Sequence, residues 1–238
     1  MPREGNPFVQ LRGVSKNYNA LRPLRIEQLD LHQGQALALM GLDGTAAEVL
    51  VSVVTGATLP DSGEVRVLGQ DTAAITTADA WLKWLEQFGL LSERSIVVDE
   101  LTVAQNLALP FSLEVEEMSP HIRQQVTALA DELGFDRAEL DVRAAQLSPL
   151  ARLRVRLGRA IALRPPILLA EHPNALVSAV DTPALAADLS RIIAARGMAA
   201  LVITADRTFA AAVAEQVLTV DPATGALRRA DGWRRWFA

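Results

Sequence analysis

Apolar and polar positions alternate along residues 8–14 and again along 24–31, the period-two pattern of strands with one buried face. Unbroken apolar runs over 36–40, 167–170 and 200–204 predict strands buried on both faces. A turn and strand over 60–69 and short strands at 87–91, 216–220 and 226–229 complete the β set. Helical periodicity predicts helices over 48–55, 79–87, 148–163 and 182–196, the last stopped by Gly197. Another helix begins near Ser119, with Pro120 in its first turn and Gly134 just past its end. Strands alternating with helices predict an α/β fold with a largely parallel sheet, interrupted over about 94–145 by a helical insertion. In such sheets ligands bind at the strand C-terminal ends, where residues 41–48, Glu171-His172 and Ala205-Asp206 all fall.

With 238 residues, half of them apolar, the chain is expected to form one compact unit with a large core. A net charge of -5 argues against general nucleic-acid binding. The absence of Cys excludes disulfides and thiolate metal sites, and with three His no dedicated metal site is expected. No membrane-spanning apolar stretch and no signal-peptide core in the first fifteen residues predict a cytoplasmic location. Trp81 and Trp84 share a helix face and read as packing residues. Arg152, Arg154, Arg156 and Arg159 read as a solvated or salt-bridged face. Tyr18 reads equally as a half-buried loop aromatic or as a platform for a base. The segment Trp233-Arg234-Arg235-Trp236-Phe237 reads either as an interface anchor, also suited to a membrane surface, or as a tail folded onto its own domain.

The candidate chemistry centres on Gly41-Leu42-Asp43-Gly44-Thr45-Ala46-Ala47-Glu48, between a predicted strand and a predicted helix. A phosphate-binding loop in this context needs glycines for close backbone approach, a Lys for the outer phosphates and a Ser or Thr hydroxyl for magnesium. The pattern G-x-x-x-x-G-K-[ST] begins correctly at Gly41, then has Ala46 for its second Gly, Ala47 for its Lys and Glu48 for its hydroxyl. One unit-charge interaction at about 4 Å and an effective dielectric near 20 is worth roughly 4 kcal/mol. Losing the Lys and gaining a carboxylate therefore weakens phosphate binding by more than about a thousandfold.

Over nearly its whole length the chain resembles the ATP-binding subunit of ABC transporters. The scaffold matches include Leu11-x-x-Val14-Ser15-Lys16-x-Tyr18, Pro60-Asp61-Ser62-Gly63-Glu64-Val65, Leu101-Thr102-Val103 with Asn106, Leu147-Ser148, Arg159-Ala160-x-Ala162, and Leu168-Leu169-Ala170 with Pro173. The resemblance implies a P-loop NTPase-like fold with a mixed, mostly parallel core sheet. It further implies a core from 1–93 and 146–238, with the helical subdomain at about 94–145. Transferred by position, the Walker A Gly, Lys and hydroxyl fall on Ala46, Ala47 and Glu48, and the Gln that faces the permease falls on Glu93. The signature reads Leu147-Ser148-Pro149-Leu150-Ala151, the D-loop Ala175-Leu176-Val177-Ser178, the Walker B Asp and catalytic Glu Glu171 and His172, and the switch His Ala205. Among ligand contacts, Tyr18, Gly41, Gly44 and Ser148 keep the expected type.

No catalytic position is intact on this reading. Tyr18, Gly41, Leu42, Asp43, Gly44, Thr45, Ala46, Ala47, Glu48 and Ser148 mark a weak or lost ATP site. No cofactor is expected unless the family activity survives, when ATP and magnesium would be used, with Glu48 or Glu171 as the carboxylates able to hold the ion. The expected function is a non-catalytic cytoplasmic subunit, peripheral on the inner face of the membrane, that docks on a permease or on another ABC ATPase subunit. Dimerisation is left open and no nucleic-acid partner is expected. The alternatives are a working ATPase with unorthodox motifs, His172 then serving as general base, and a sensor that binds nucleotide without hydrolysis.

Overall fold

The computed structural model describes residues 5–229. Strands β1 (Val9–Lys16) and β2 (Leu24–Leu31) pair antiparallel, with Val9 opposite Leu31. β3 (Ala36–Met40) feeds α1 (Gly44–Val54). β4 (Ser62–Val67) and β5 (Gln70–Asp71) close a four-stranded antiparallel sheet in the order β2-β1-β4-β5. After α2 (Ala78–Leu85) and β6 (Phe88–Leu91), the chain leaves the sheets for α3 (Val103–Ala108) and α4 (Pro120–Leu133) and returns through α5 (Pro149–Ile161). The remainder is β7 (Ile167–Glu171), α6 (Thr182–Arg196), β8 (Ala199–Ile203), α7 (Arg207–Val213), β9 (Gln216–Val220) and β10 (Leu227–Arg229). The second sheet runs β10-β9-β3-β8-β7-β6 and is parallel except at β10.

Two apolar clusters hold these layers together, and the parallel strands divide their side chains between them at period two. Ile167 and Leu169 of β7, with Ala199, Leu201 and Ile203 of β8, face α1 and the antiparallel sheet. Leu168, Ala170, Ala200 and Val202 face the other way, toward α3, α4, α5 and α6. Helix α1 is thus packed between two sheets, with Ala47, Leu50, Val53 and Val54 fully buried. Gly158 lets α5 lie close to α3 and α4, because a Cβ there would come within 2.5 Å of the Leu107 and Leu133 side chains.

Three features depart from the expected elements or add to them. Helix α1 begins at Gly44 rather than near residue 48, because Asp43 caps it and draws most of the predicted loop into its first turn. Helices α3 and α7 have no counterpart among the predicted elements. Each spans two turns or less and is set by a local cap, Thr102 with Gln105 for α3 and Asp206 for α7, rather than by an apolar period. The four-stranded antiparallel sheet is a separate layer that alternation in two segments does not reveal.

The packing reading of the two tryptophans fits their contacts. Trp81 Nε1 donates to the Thr55 carbonyl at 3.2 Å, and Trp84 meets Phe88 edge-on at 5.8 Å. Two of the four α5 arginines are salt-bridged and a third binds a backbone carbonyl, in keeping with the salt-bridged half of that reading. Arg154 pairs with Asp188 of α6 at 2.7 Å, Arg152 with Asp99, and Arg159 donates to the Ile96 carbonyl. Burial lowers the pKa of Arg156, whose Nε has no hydrogen-bond partner among the described residues. The Trp/Arg segment at 233–237 lies outside the described residues. Among the described residues no helix is long and apolar enough to cross a membrane.

Candidate functional site

The parallel strands β3, β7 and β8 end on one edge, and the residues just past their ends form the candidate site. After β3, Gly41 turns with φ 89°, and a Cβ there would lie 2.8 Å from the Val220 carbonyl oxygen, so only glycine lets the chain pass β9. Asp43 then caps α1. Its carboxylate accepts from the Ala46 N–H at 2.8 Å, and its carbonyl accepts from the Ala47 N–H at 2.9 Å. A helix N-terminus aims its free N–H groups and positive dipole end at an anion. Here that anion is the chain's own aspartate.

Glu48 lies one turn into α1, and Glu171 is the last residue of β7. Between them stands Arg94, from the segment joining β6 to α3. Its Nη2 donates to both Glu171 oxygens at 2.8 and 2.7 Å, while Nη1 pairs with Glu48. The Glu171 side chain is 12% exposed, against 49% for Arg94 and 52% for Glu48. Burial raises the Glu171 pKa above the ordinary carboxylate range; Arg94 opposes that rise and the Glu48 charge adds to it. A single guanidinium therefore serves two carboxylates and leaves the more buried one incompletely compensated.

His172 comes next, in the left-handed region at φ 44°, an uncommon conformation for a residue with a Cβ. Its N–H donates to the Ile203 carbonyl at 2.8 Å, and its Nε2 has no hydrogen-bond partner among the described residues. Beyond β8, Thr204 is buried and donates through its hydroxyl to Asn174 at 2.8 Å, Ala205 is exposed, and Asp206 caps α7. The edge thus gathers Asp43, Glu48, Glu171, His172 and Ala205. Tyr18 lines a cleft of about 600 Å³ with Arg22, Gly41, Leu42, Asp43 and Ala46, and burial and the Asp43 charge raise its pKa.

The remaining expected residues are divided between the edge, the core and the far surface. Gly44 and Thr45 form the first turn of α1 and are exposed. Ala46 and Ala47 are buried, at 6% and 0% exposure, and belong to the cluster between the sheets. Ser148 is an exposed N-cap of α5, accepting from the Ala151 N–H at 3.2 Å, and does not line the Tyr18 cleft. Glu93 is exposed, and its charge acts on Arg156. Arg94 is the residue that sequence reasoning misses. The one signal for it is a cation next to the Glu93 position in a chain with carboxylates at 48 and 171.

The donor set does not fit magnesium ATP. Of the first-turn amides, that of Ala46 is engaged by the Asp43 carboxylate, and the two carboxylates able to hold a cation are engaged by Arg94. Among the described residues no three potential metal ligands cluster. Asp43, Glu48 and Glu171 bring three carboxylates to the strand edge against the one guanidinium of Arg94, with Arg22 and Arg25 in the neighbouring Tyr18 cleft.

The fold and the sequence match known proteins. Residues 24–175, well over half the chain, match the ABC transporter family profile. The sulfate/thiosulfate import ATP-binding protein CysA of Synechococcus elongatus is 27% identical over 225 residues, covering 93% of this chain and 62% of that protein. The methionine import ATP-binding protein MetN of Brucella abortus is 25% identical, over 92% of this chain and 59% of that protein. The chain therefore spans about three fifths of the length of these relatives. The octopine permease ATP-binding protein P of Rhizobium radiobacter is 27% identical, over 92% of this chain and 86% of that protein. Among solved structures, the cassette MJ0796, a dimer bound to ADP and Pi, superposes with a TM-score of 0.74 at 21% identity, covering 94% of this chain and all of that one. The cbiO1 protein of Clostridium perfringens superposes with a TM-score of 0.80 at 16% identity, covering 94% and 88%. With the edge at β3, β7 and β8 and the family profile both in place, the chain belongs to the ABC transporter family, as a nucleotide-binding domain of its ATP-binding subunits.

Proposed function

We propose that this chain is a non-catalytic subunit, a cytoplasmic adaptor that docks on a membrane permease or on a partner ATPase subunit and lies peripherally on the inner face of the membrane. The observation that carries the reading is the Arg94 guanidinium lodged between Glu48 and Glu171, beside an α1 N-terminus capped by Asp43. Where a nucleotide's outer phosphates and their cation would sit, the chain places its own cation and its own anion. Ala205 offers no hydrogen bond, and Pro149 offers no N–H at the start of α5. The division into a core (1–93 and 146–238) and a helical subdomain (about 94–145) belongs to this proposal. Between α3 and α4 the subdomain has a groove of about 390 Å³, lined by Val115, Met118, Val126 and Leu140 with Arg123 and Arg137 at its polar side. That mixture suits a short amphipathic helix of a partner.

The Tyr18 cleft favours a second reading, a sensor that binds nucleotide without hydrolysis, while the charge of Asp43, Glu48 and Glu171 opposes it. Calorimetry separates the two. Wild type is expected to bind magnesium ATP more weakly than about 1 mM, a free energy smaller in size than about 4 kcal/mol. The Ala46→Gly, Glu48→Ser variant, which leaves the buried Ala47 in place and removes one of the partners of Arg94, is expected to gain at least tenfold. Micromolar binding by wild type would overturn the adaptor reading.

A further inference from the structure

The segment between β6 and α3, residues 92–102, carries the chain from the parallel sheet to α3 and α4, and its attachments differ along its length. Its far end belongs to the helices. The side chain of the fully buried Asn106 accepts from the Val98 N–H at 2.9 Å and donates to the carbonyls of Val98, Leu101 and Thr102, while the Ala144 N–H donates to Leu101. Its middle is strapped to α5 by Arg159 at the Ile96 carbonyl and by Arg152 at Asp99. At its near end, the Ser95 hydroxyl donates to the Leu90 carbonyl and accepts from the Ser92 N–H, both local bonds, and Arg94 reaches α1 and β7 through Glu48 and Glu171.

We propose that Arg94 is a built-in clasp that holds the 92–98 segment in one position against the sheet edge without any ligand there. A planar fork can grip a carboxylate with one arm and reach a second with the other, which a point charge cannot do as well. The arrangement joins three segments at this edge: α1, β7 and the passage to the helices. The segment's outer surface carries the exposed side chains of Glu93, Ile96 and Glu100, with Ile96 72% exposed. Fixing it beforehand removes the ordering cost that a partner would otherwise meet on docking. This consequence rests on the adaptor reading; the clasp itself does not.

The test is hydrogen–deuterium exchange by mass spectrometry on the full chain, comparing wild type, Arg94→Ala, and wild type with magnesium ATP. In Arg94→Ala, peptides spanning 92–98 are expected to exchange about tenfold faster or more, while those of α6 and β8 keep their wild-type rates. Unchanged exchange over 92–98 would overturn the clasp, as would an increase spread evenly over the whole chain. Should Arg94→Ala not fold, Glu48→Gln releases one arm only, and a local increase of about threefold is expected there, with no increase counting against the clasp. Wild type with magnesium ATP is expected to match wild type without it. A change there would sink the adaptor reading, whereas failure of the clasp shows in the Arg94 and Glu48 variants.

Discussion

Two arginine–carboxylate sites in this molecule use the same groups to opposite effect. Arg196, the last residue of α6, grips Glu132 near the end of α4 with two bonds of 2.7 and 2.6 Å and also donates to the Ile161 carbonyl. The hydrogen bonds from Arg196 hold the Glu132 pKa below the ordinary range despite partial burial, and the charges of Arg191 and Arg164 act in the same direction. At the strand edge, one cation serves Glu48 and Glu171, and the buried Glu171 has its pKa raised. Burial outweighs the guanidinium at Glu171, whereas the guanidinium outweighs burial at Glu132. The first pair is a settled tie between two helices of the apolar layer. The second has one cation for two carboxylates and sits at the C-terminal edge of the parallel strands.

The largest effect on this comparison should come from Arg196→Ala. It removes two charge-assisted bonds and leaves Glu132 partly buried and unpaired, at a cost of about 2–3 kcal/mol in urea unfolding at neutral pH. Because the Glu132 pKa is lowered in the folded state, its contribution is present above its unfolded value near 4.5 and fades as pH falls through the folded value. The wild-type advantage over Arg196→Ala should therefore shrink only in distinctly acid solution.

Arg94→Ala should cost less, about 1–2 kcal/mol at neutral pH, since Arg94 and Glu48 are about half exposed. Its pH profile should differ in kind. A raised pKa means that folded Glu171 takes up a proton above 4.5, where the unfolded chain does not. Its contribution to stability therefore increases as pH falls through that window and is lost as pH rises through it. Removing Arg94 raises the Glu171 pKa further, so the deficit of the variant should begin to close at a higher pH than the deficit of Arg196→Ala. Denaturation midpoints from pH 4.5 to 8 would check this, and parallel profiles for the two variants would break the comparison.

Asp43 is a third arrangement, an anion whose counter-charge is a helix N-terminus. Asp43→Ala should cost about 1 kcal/mol, and Asp43→Ser, which still caps, under about 0.5 kcal/mol, both read from thermal unfolding. The smallest effect belongs to Ala205→His. The position is exposed and its side chain has no structural role among the described residues, so stability should stay within about 0.5 kcal/mol and magnesium ATP binding should not appear.

Much of this architecture is legible in the chain. β2, β3, α6 and β9 fall on the residues that their apolar patterns outline, and α4 runs between Ser119 and Gly134, the start and stop signals around it. The sequence pattern outlines α1 too short, because its boundary is drawn from a phosphate loop that has no phosphate-binding groups, whereas Asp43 starts the helix four residues earlier. The changed residues of the candidate site are visible one by one. What they do to one another is not.

The order of the main strands and of the longer helices and their buried faces are written in the sequence alone, since each lies within one element as a period of two or of 3.6 or as a cap a few residues away. That Arg94 would meet Glu48 and Glu171, or Arg196 meet Glu132, is decided only by the tertiary structure. An ion pair has no period. Its partners are chosen by where the sheet brings the strand ends and by how much water remains around them, and the folded chain alone sets both.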